Sequence, residues 1–243
     1  MFVREVDRFR LYFGSAADQI CHPSEYLETP ADVFFANSVI MQRLIGDWQL
    51  RHIFFARQVH GVAGICVTPE IVSQIPAFTL SADFLHTTIS EIGIGVMTAD
   101  CLPIILLDPV QHAVAVIHAG WRGAVQNIIA DAIGALSAAY ATQVSDVHVF
   151  FGPSAAVCCY QVGHEFVDIM GPIDHAHNVL HVRSNKLYLD VSGLLRNQLI
   201  AAGVPAFNIS SEYNLCTMCD TKFYSHRRDA QRAGRQMTLV ALR

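Results

Sequence analysis

Residues 93–123 read GIGVMTADCLPIILLDPVQHAVAVIHAGWRG. Three apolar runs lie in this stretch, Gly93 to Thr98, Pro103 to Leu107 and Ala113 to Ile117, each bounded by Asp, Pro or Gly. They have the length of strands, and they are nearly continuous rather than alternating. Both faces of their sheet are therefore expected to be covered. Just downstream, Trp121, Val125, Ile128, Ile129, Ala132, Ile133, Leu136 and Tyr140 trace one apolar stripe. At helical spacing it predicts a single helix of about five turns.

Working outward, Val147 to Phe151 reads as a further strand. Upstream, Ile53 to Val59 reads as a strand, with Val62 to Val67 as its hairpin partner across Gly61. Val33, Phe34, Asn37, Ile40, Met41 and Leu44 predict a helix from Pro30 to about Leu44, after a turn-rich piece at Cys21-His22-Pro23-Ser24. Towards the other end, Val191, Leu194, Leu195 and Leu199 predict a helix from about Leu189 to Ala202, stopped by Gly203 and Pro205. Ala206 to Ile209, Lys222 to Ser225 and Gln236 to Leu242 read as closing strands. Strands and helices mix without regular βαβ alternation. The expected fold class is α/β: one layered domain over residues 1–243, with mixed, partly antiparallel sheets and outer helices. Residues 1–50 are its least patterned segment.

Composition narrows the function classes. Of 243 residues 52% are apolar and 15% charged, enough to bury a large core. The mean hydropathy of +0.34 is high, yet no run approaches the roughly 18 apolar residues of a spanning helix. No membrane partner is expected. The start of the chain, with Arg4, Glu5, Asp7, Arg8 and Arg10, lacks the apolar core of a secretory signal. A net charge of −5 argues against a nucleic-acid partner. Seven cysteines, an odd number, read as reduced thiols of a cytoplasmic protein.

Three metal-type side chains stand at strand ends beside tight turns: His60 in Gln58-Val59-His60-Gly61, Cys101 in Thr98-Ala99-Asp100-Cys101-Leu102-Pro103, and His118 in Ile117-His118-Ala119-Gly120-Trp121-Arg122-Gly123. Two imidazoles and a thiolate form the ligand set of a catalytic zinc, and copper accepts the same mixture. The alternative is a core histidine, a buried thiol and a helix-capping histidine. Gly120 to Gly123 joins a strand to the predicted long helix, so its N–H groups with Arg122 form a candidate anion site, or a turn needed only for packing. No phosphate-binding or dinucleotide-binding glycine motif occurs. Asp100 is read as support for Cys101 or as a turn cap, and Asp83 as a surface carboxylate. Cys158-Cys159 is read as packed thiols. Cys216-Thr217-Met218-Cys219 is read as a structural pair, because a zinc ribbon needs a second pair. His175-Ala176-His177 with His181 is read as a surface loop. The late cluster His226-Arg227-Arg228-Asp229, Arg232 and Arg235 is read as a carboxylate buttress or a phosphate site.

Taken in order, the three histidine and cysteine motifs are followed by Gly152-Pro153 with Cys158-Cys159-Tyr160-Gln161-Val162-Gly163, Cys216-Thr217, and Ser225 through Arg228 to Gly234-Arg235-Gln236. From about residue 53 onward this order resembles the YfiH-type laccase-domain family, also described as purine nucleoside phosphorylase-like or polyphenol oxidase-like. The resemblance implies one layered α/β domain and an enzyme. It implies zinc, with copper as the alternative, held by His60, Cys101 and His118. It also implies phosphorolysis of adenosine, inosine and methylthioadenosine, and deamination of adenosine, with purine nucleosides and phosphate as partners. The first fifty residues depart from the family pattern: Phe13 to Asp18 stands where a Ser-Thr-Arg is common, and Asn37-Ser38 where an Asn-Arg pair is common.

For such an enzyme Cys101, Asp100, Asp83 and Arg122 are the candidate catalytic residues: Asp83 or Asp100 as proton carrier, Arg122 for phosphate. Three competing expectations are a metal-free cysteine hydrolase using Cys101, a copper-dependent polyphenol oxidase, and a binding factor without turnover. A monomer is the default expectation.

Overall fold

A computed structural model describes residues 1–20, 27–28 and 30–243. The turn read at Cys21 to Ser24 lies outside the described residues. In chain order the strands are β1 (Phe2–Val6), β2 (Phe9–Phe13), β3 (His52–Phe55), β4 (Gly64–Cys66), β5 (Phe84–Thr87), β6 (Ile92–Thr98), β7 (Leu102–Asp108), β8 (Ala113–Ala119), β9 (His148–Phe151), β10 (Gln161–Val162), β11 (Leu180–Arg183), β12 (Lys186–Leu189), β13 (Ile209–Ser210) and β14 (Gln236–Leu242). They form one sheet of order β1-β2-β14-β6-β3, a second of order β13-β9-β7-β8-β5-β4, and a small third of order β10-β12-β11. Both large sheets are mixed. β3 runs parallel to β6 and β4 parallel to β5, while β14 with β6 and β7 with β8 are antiparallel.

Successive side chains of a strand point to opposite faces, and here each face has a cover. Val114 and Val116 of β8 share a core with Ile94 and Val96 of β6 and Leu11 of β2, so the two large sheets stack face to face. Ala115 and Ile117, of the other parity, pack with Ile129, Ile133 and Leu195 from the helices Ile128–Tyr140 and Val191–Ala201. Beyond the first sheet, Met237 and Leu239 of β14 pack against Met41, Leu44 and Trp48 of the helix Val39–Trp48. The layers run helix, sheet, sheet, helix. Every residue of β6, β7, β8 and β14 is buried as a result. Each Val, Leu or Ile side chain so enclosed contributes about 1.5–3 kcal/mol against chain entropy. That is why these strands read as continuous apolar runs.

Several local expectations are corrected. Residues 53–59 and 62–67 do not form a hairpin, because β3 belongs to the first sheet and β4 to the second. The long helix is two helices, Trp121–Val125 and Ile128–Tyr140. Asn127 breaks it at φ +59° and caps the second helix through its side chain, while the apolar stripe runs on past the break. The helix from Pro30 likewise divides at Ser38 into Ala31–Asn37 and Val39–Trp48. Ala206–Asn208 is a 3₁₀ turn rather than strand, and residues 222–225 pair with no strand. The poorly patterned start of the chain holds the β1–β2 hairpin, whose β2 pairs with β14. Among the described residues no helix is long and apolar enough to cross a membrane.

Candidate metal centre

Two passages between the large sheets and one strand end build the site. The chain leaves β6 at Thr98 and enters β7 at Leu102, so Asp100 and Cys101 lie on the crossing. It also crosses between β3 and β4, and this crossing carries His60. Gln58 anchors it by donating to Met97 O and accepting from Met97 N, both at 2.7 Å, which continues the contact of β3 with β6. His60 then turns the chain at φ +61°. β8 pairs antiparallel with β7 with Pro103 opposite His118, so the end of β8 arrives beside Cys101. The ligand atoms of His60, Cys101 and His118 lie within 4.8 Å of one another.

Gly120 is required by this closeness. A Cβ there would lie 3.0 Å from Cys101 Sγ and 3.3 Å from His60 Cδ2, so a side chain would intrude between two of the ligands. The helix it opens has five residues, not the long helix expected, which shortens any dipole behind an anion.

Asp83 is not a surface carboxylate, as expected, but fully buried. It precedes β5, whose Phe84 pairs with Ile117 of β8, and this register sets it beside His118. Oδ1 accepts from His118 Nδ1 at 2.8 Å and from His60 N at 2.9 Å, and Oδ2 accepts from Gly61 N at 2.7 Å. The carboxylate thus orients one imidazole, leaving its Nε2 for the site, and also shapes the loop that carries the other. Burial raises its pKa, but His118 and these N–H groups outweigh burial and hold it below the usual range. Burial pushes the Cys101 thiol up, and the charge and hydrogen bonds of His118 and His60 overcome this, bringing it down to about 6. Burial lowers His118, and the Cys101 thiolate with Asp83 brings it up to about 9. Both shifts favour a thiolate facing an imidazolium.

Asp100 sits at φ +88°, a strained conformation for a residue with a Cβ. Its Oδ1 accepts from Thr217 Oγ1 and its Oδ2 from Arg227 N, both at 2.6 Å. Thr217 stood in the Cys216-Thr217 motif, but its contact with Asp100 spans 117 positions and no local pattern marks it.

A cleft of about 470 Å³ opens onto the three ligands, within the range of small-molecule sites. Phe78, Trp121 and Tyr160 line it, together with Arg57, Arg122, Arg227 and Arg235. The Arg122 guanidinium lies 4.4 Å from the centre of the Trp121 ring, and that of Arg227 lies 5.0 Å from the Tyr160 ring. His226, read only as part of a basic cluster, lines the cleft too. Arg228 serves as a buttress, donating to Thr217 O and Phe223 O at 2.8 Å. His175 and His177 belong to an outlying loop whose carbonyls accept from Asn197. The Cys216–Cys219 pair does have a second pair: Cys158 and Cys159 stand against it.

A family model described as multi-copper polyphenol oxidoreductase laccase matches residues 29–243. The chain is 35% identical over 189 residues to a purine nucleoside phosphorylase of Xylella fastidiosa, a match covering 76% of this chain and 70% of that protein. It is 39% identical over 160 residues to adenosine deaminase RL5 from an unknown prokaryotic organism, covering 64% of this chain and 60% of that one. In a longer mouse relative, named purine nucleoside phosphorylase LACC1, the match spans 39% of the length. The fold is that of the Bacillus licheniformis protein YfiH, with a TM-score of 0.81 at 24% identity over 98% of this chain and 94% of that one.

Proposed function

Because the chain belongs to the multi-copper polyphenol oxidoreductase laccase family, we propose that it is a zinc-dependent purine nucleoside enzyme that cleaves nucleosides with phosphate and deaminates adenosine. The observation that carries this reading is the convergence of His60, Cys101 and His118 at a cleft lined by arginines and aromatic rings. The names of the relatives support the substrate class.

The residues fit zinc. Two imidazoles and a thiolate leave a fourth position for water or substrate, Asp83 fixes one imidazole, and Gly120 leaves room between the ligands. When bound, zinc supplies a Lewis acid and lowers the pKa of a coordinated water toward about 7. Copper is the alternative occupant of the same donors.

The chain supplies the rest. Phe78, Trp121 and Tyr160 give the cleft an aromatic wall suited to a purine, and Arg122, Arg227 and Arg235 offer positive charge to phosphate. In phosphorolysis a phosphate oxygen bonds to the ribose carbon while the bond from that carbon to the base nitrogen breaks, and the departing base takes up a proton. Asp83 and Asp100 hold hydrogen bonds on both oxygens, so we assign them to positioning rather than proton transfer. His226, on the cleft wall, is our candidate proton carrier.

The test is product analysis by mass spectrometry with adenosine or inosine, with and without phosphate, beside Cys101→Ser. Free base that requires phosphate, or inosine formed from adenosine, is expected from the unmodified chain alone. Product formed equally by Cys101→Ser refutes the reading. The thiolate of Cys101 beside the His118 imidazolium favours a second reading, a metal-free cysteine hydrolase. Activity lost on chelation and regained with zinc excludes it.

A further inference from the structure

Four cysteines outside the cleft come together although they are distant in sequence. The Sγ atoms of Cys158, Cys159, Cys216 and Cys219 all lie within 4.8 Å of one another. Those of Cys159 and Cys158 lie 2.9 Å and 3.5 Å from that of Cys219. Burial does not account for the gathering, since Cys158 and Cys219 are exposed.

The backbone is arranged to produce this cluster. Neighbouring side chains of an extended chain point apart, but residues 157–159 form a turn, which lets Cys158 and Cys159 reach the same partners. Ser154 N donates to Leu215 O at 3.0 Å and Thr217 N to Ser154 O at 2.9 Å, clamping the two cysteine segments side by side. Four sulfurs about 2.3 Å from a tetrahedral zinc stand roughly 3.8 Å apart. The 3.5 Å between Cys158 and Cys219 is close to that spacing, and the 4.8 Å within which all four sulfurs lie leaves room for it.

We propose that Cys158, Cys159, Cys216 and Cys219 bind a second zinc ion in a closed, structural four-thiolate site. Each thiol gives up one proton to solvent as the ion binds, and no redox change is involved. With all four positions filled by sulfur, no open position is left for water or substrate, so this site does no chemistry. It braces the first centre. Thr217, between two of its ligands, donates to Asp100 Oδ1, and Ala155 N donates to Asp100 O at 2.9 Å, one residue before Cys101. Tyr160, directly after Cys159, lines the cleft. The second site does not depend on the activity proposed above.

The test counts zinc in protein purified from zinc-supplemented cells, by native mass spectrometry and elemental analysis. Two ions are expected in the unmodified chain, one in Cys101→Ser, and one in the double variant Cys216→Ser/Cys219→Ser. A Cys101→Ser chain without zinc overturns the proposal. So does a double variant that keeps as much zinc as the unmodified chain. Loss of zinc by the double variant alone supports the second site even if the first reading fails. Should the double variant not fold, Cys101→Ser loaded with cobalt decides. Intense sulfur-to-cobalt charge-transfer bands are expected, and their absence overturns the site. An intact-mass deficit of two hydrogens, mapped to a Cys159–Cys219 bond in the zinc-supplied protein, also overturns it.

Discussion

At the scale of single residues, Asp83 does the most for the candidate centre. It is linked to His118, His60 and Gly61 at once, so one carboxylate fixes a ligand ring and a ligand loop. Asp83→Asn keeps the shape and removes the charge that helps to hold His118 protonated. In metal-free protein the Cys101 thiol, held at about 6, is expected to react with iodoacetamide in a pH profile whose midpoint lies near 6. With His118 less readily charged, the thiolate loses support, so the midpoint of Asp83→Asn is expected to move upward. Peptide mapping of the alkylated chain over a pH series measures both, and an unmoved midpoint would remove Asp83 from this role. A loss of about 10–100-fold in zinc affinity is the companion expectation for a ligand-orienting partner. The sequence offered Asp83 as a candidate proton carrier, but neither its burial nor its bonds to His118 and the His60 loop were legible, because no spacing rule marks them, whereas His60, Cys101 and His118 stood out as polar residues ending apolar runs.

At the scale of elements, the strands that meet cover on both faces were the readable ones. Residues 92–98, 102–108, 113–119, 148–151 and 236–242 all emerge close to their expected bounds. Their partners were not readable, because pairing is decided by which sheet each strand joins. Hence the hairpin expected across Gly61 is instead a crossing, and that crossing delivers His60. Breaks within periodic segments were also hidden, since the stripe from Trp121 to Tyr140 stays apolar through Asn127. Ile105 on β7 is fully buried between the large sheets. Ile105→Ala is expected to cost about 2–5 kcal/mol. For a chain of this size that lowers the Tm by roughly 2–4 °C per kcal/mol, measured by calorimetry. A change below 2 °C would place Ile105 outside the load-carrying interface.

At the scale of the whole molecule, the stacked sheets make the frame, and the candidate metal centre sits where the chain passes from one sheet to the other. The layered α/β character followed from continuous apolar runs and mixed element order. The meeting of the four outer cysteines did not, because it depends on two loops 57 residues apart, Cys159 to Cys216, being clamped together. The measurement that bears most directly on the whole is turnover against bound metal. Inosine with phosphate would be given to fully chelated protein while zinc is returned in substoichiometric steps, and hypoxanthine release would be followed. Release is expected to be negligible without zinc, to rise as the His60–Cys101–His118 site fills, and to stay absent in Cys101→Ser at every step. Undiminished release from the chelated chain would contradict a metal-dependent nucleoside enzyme.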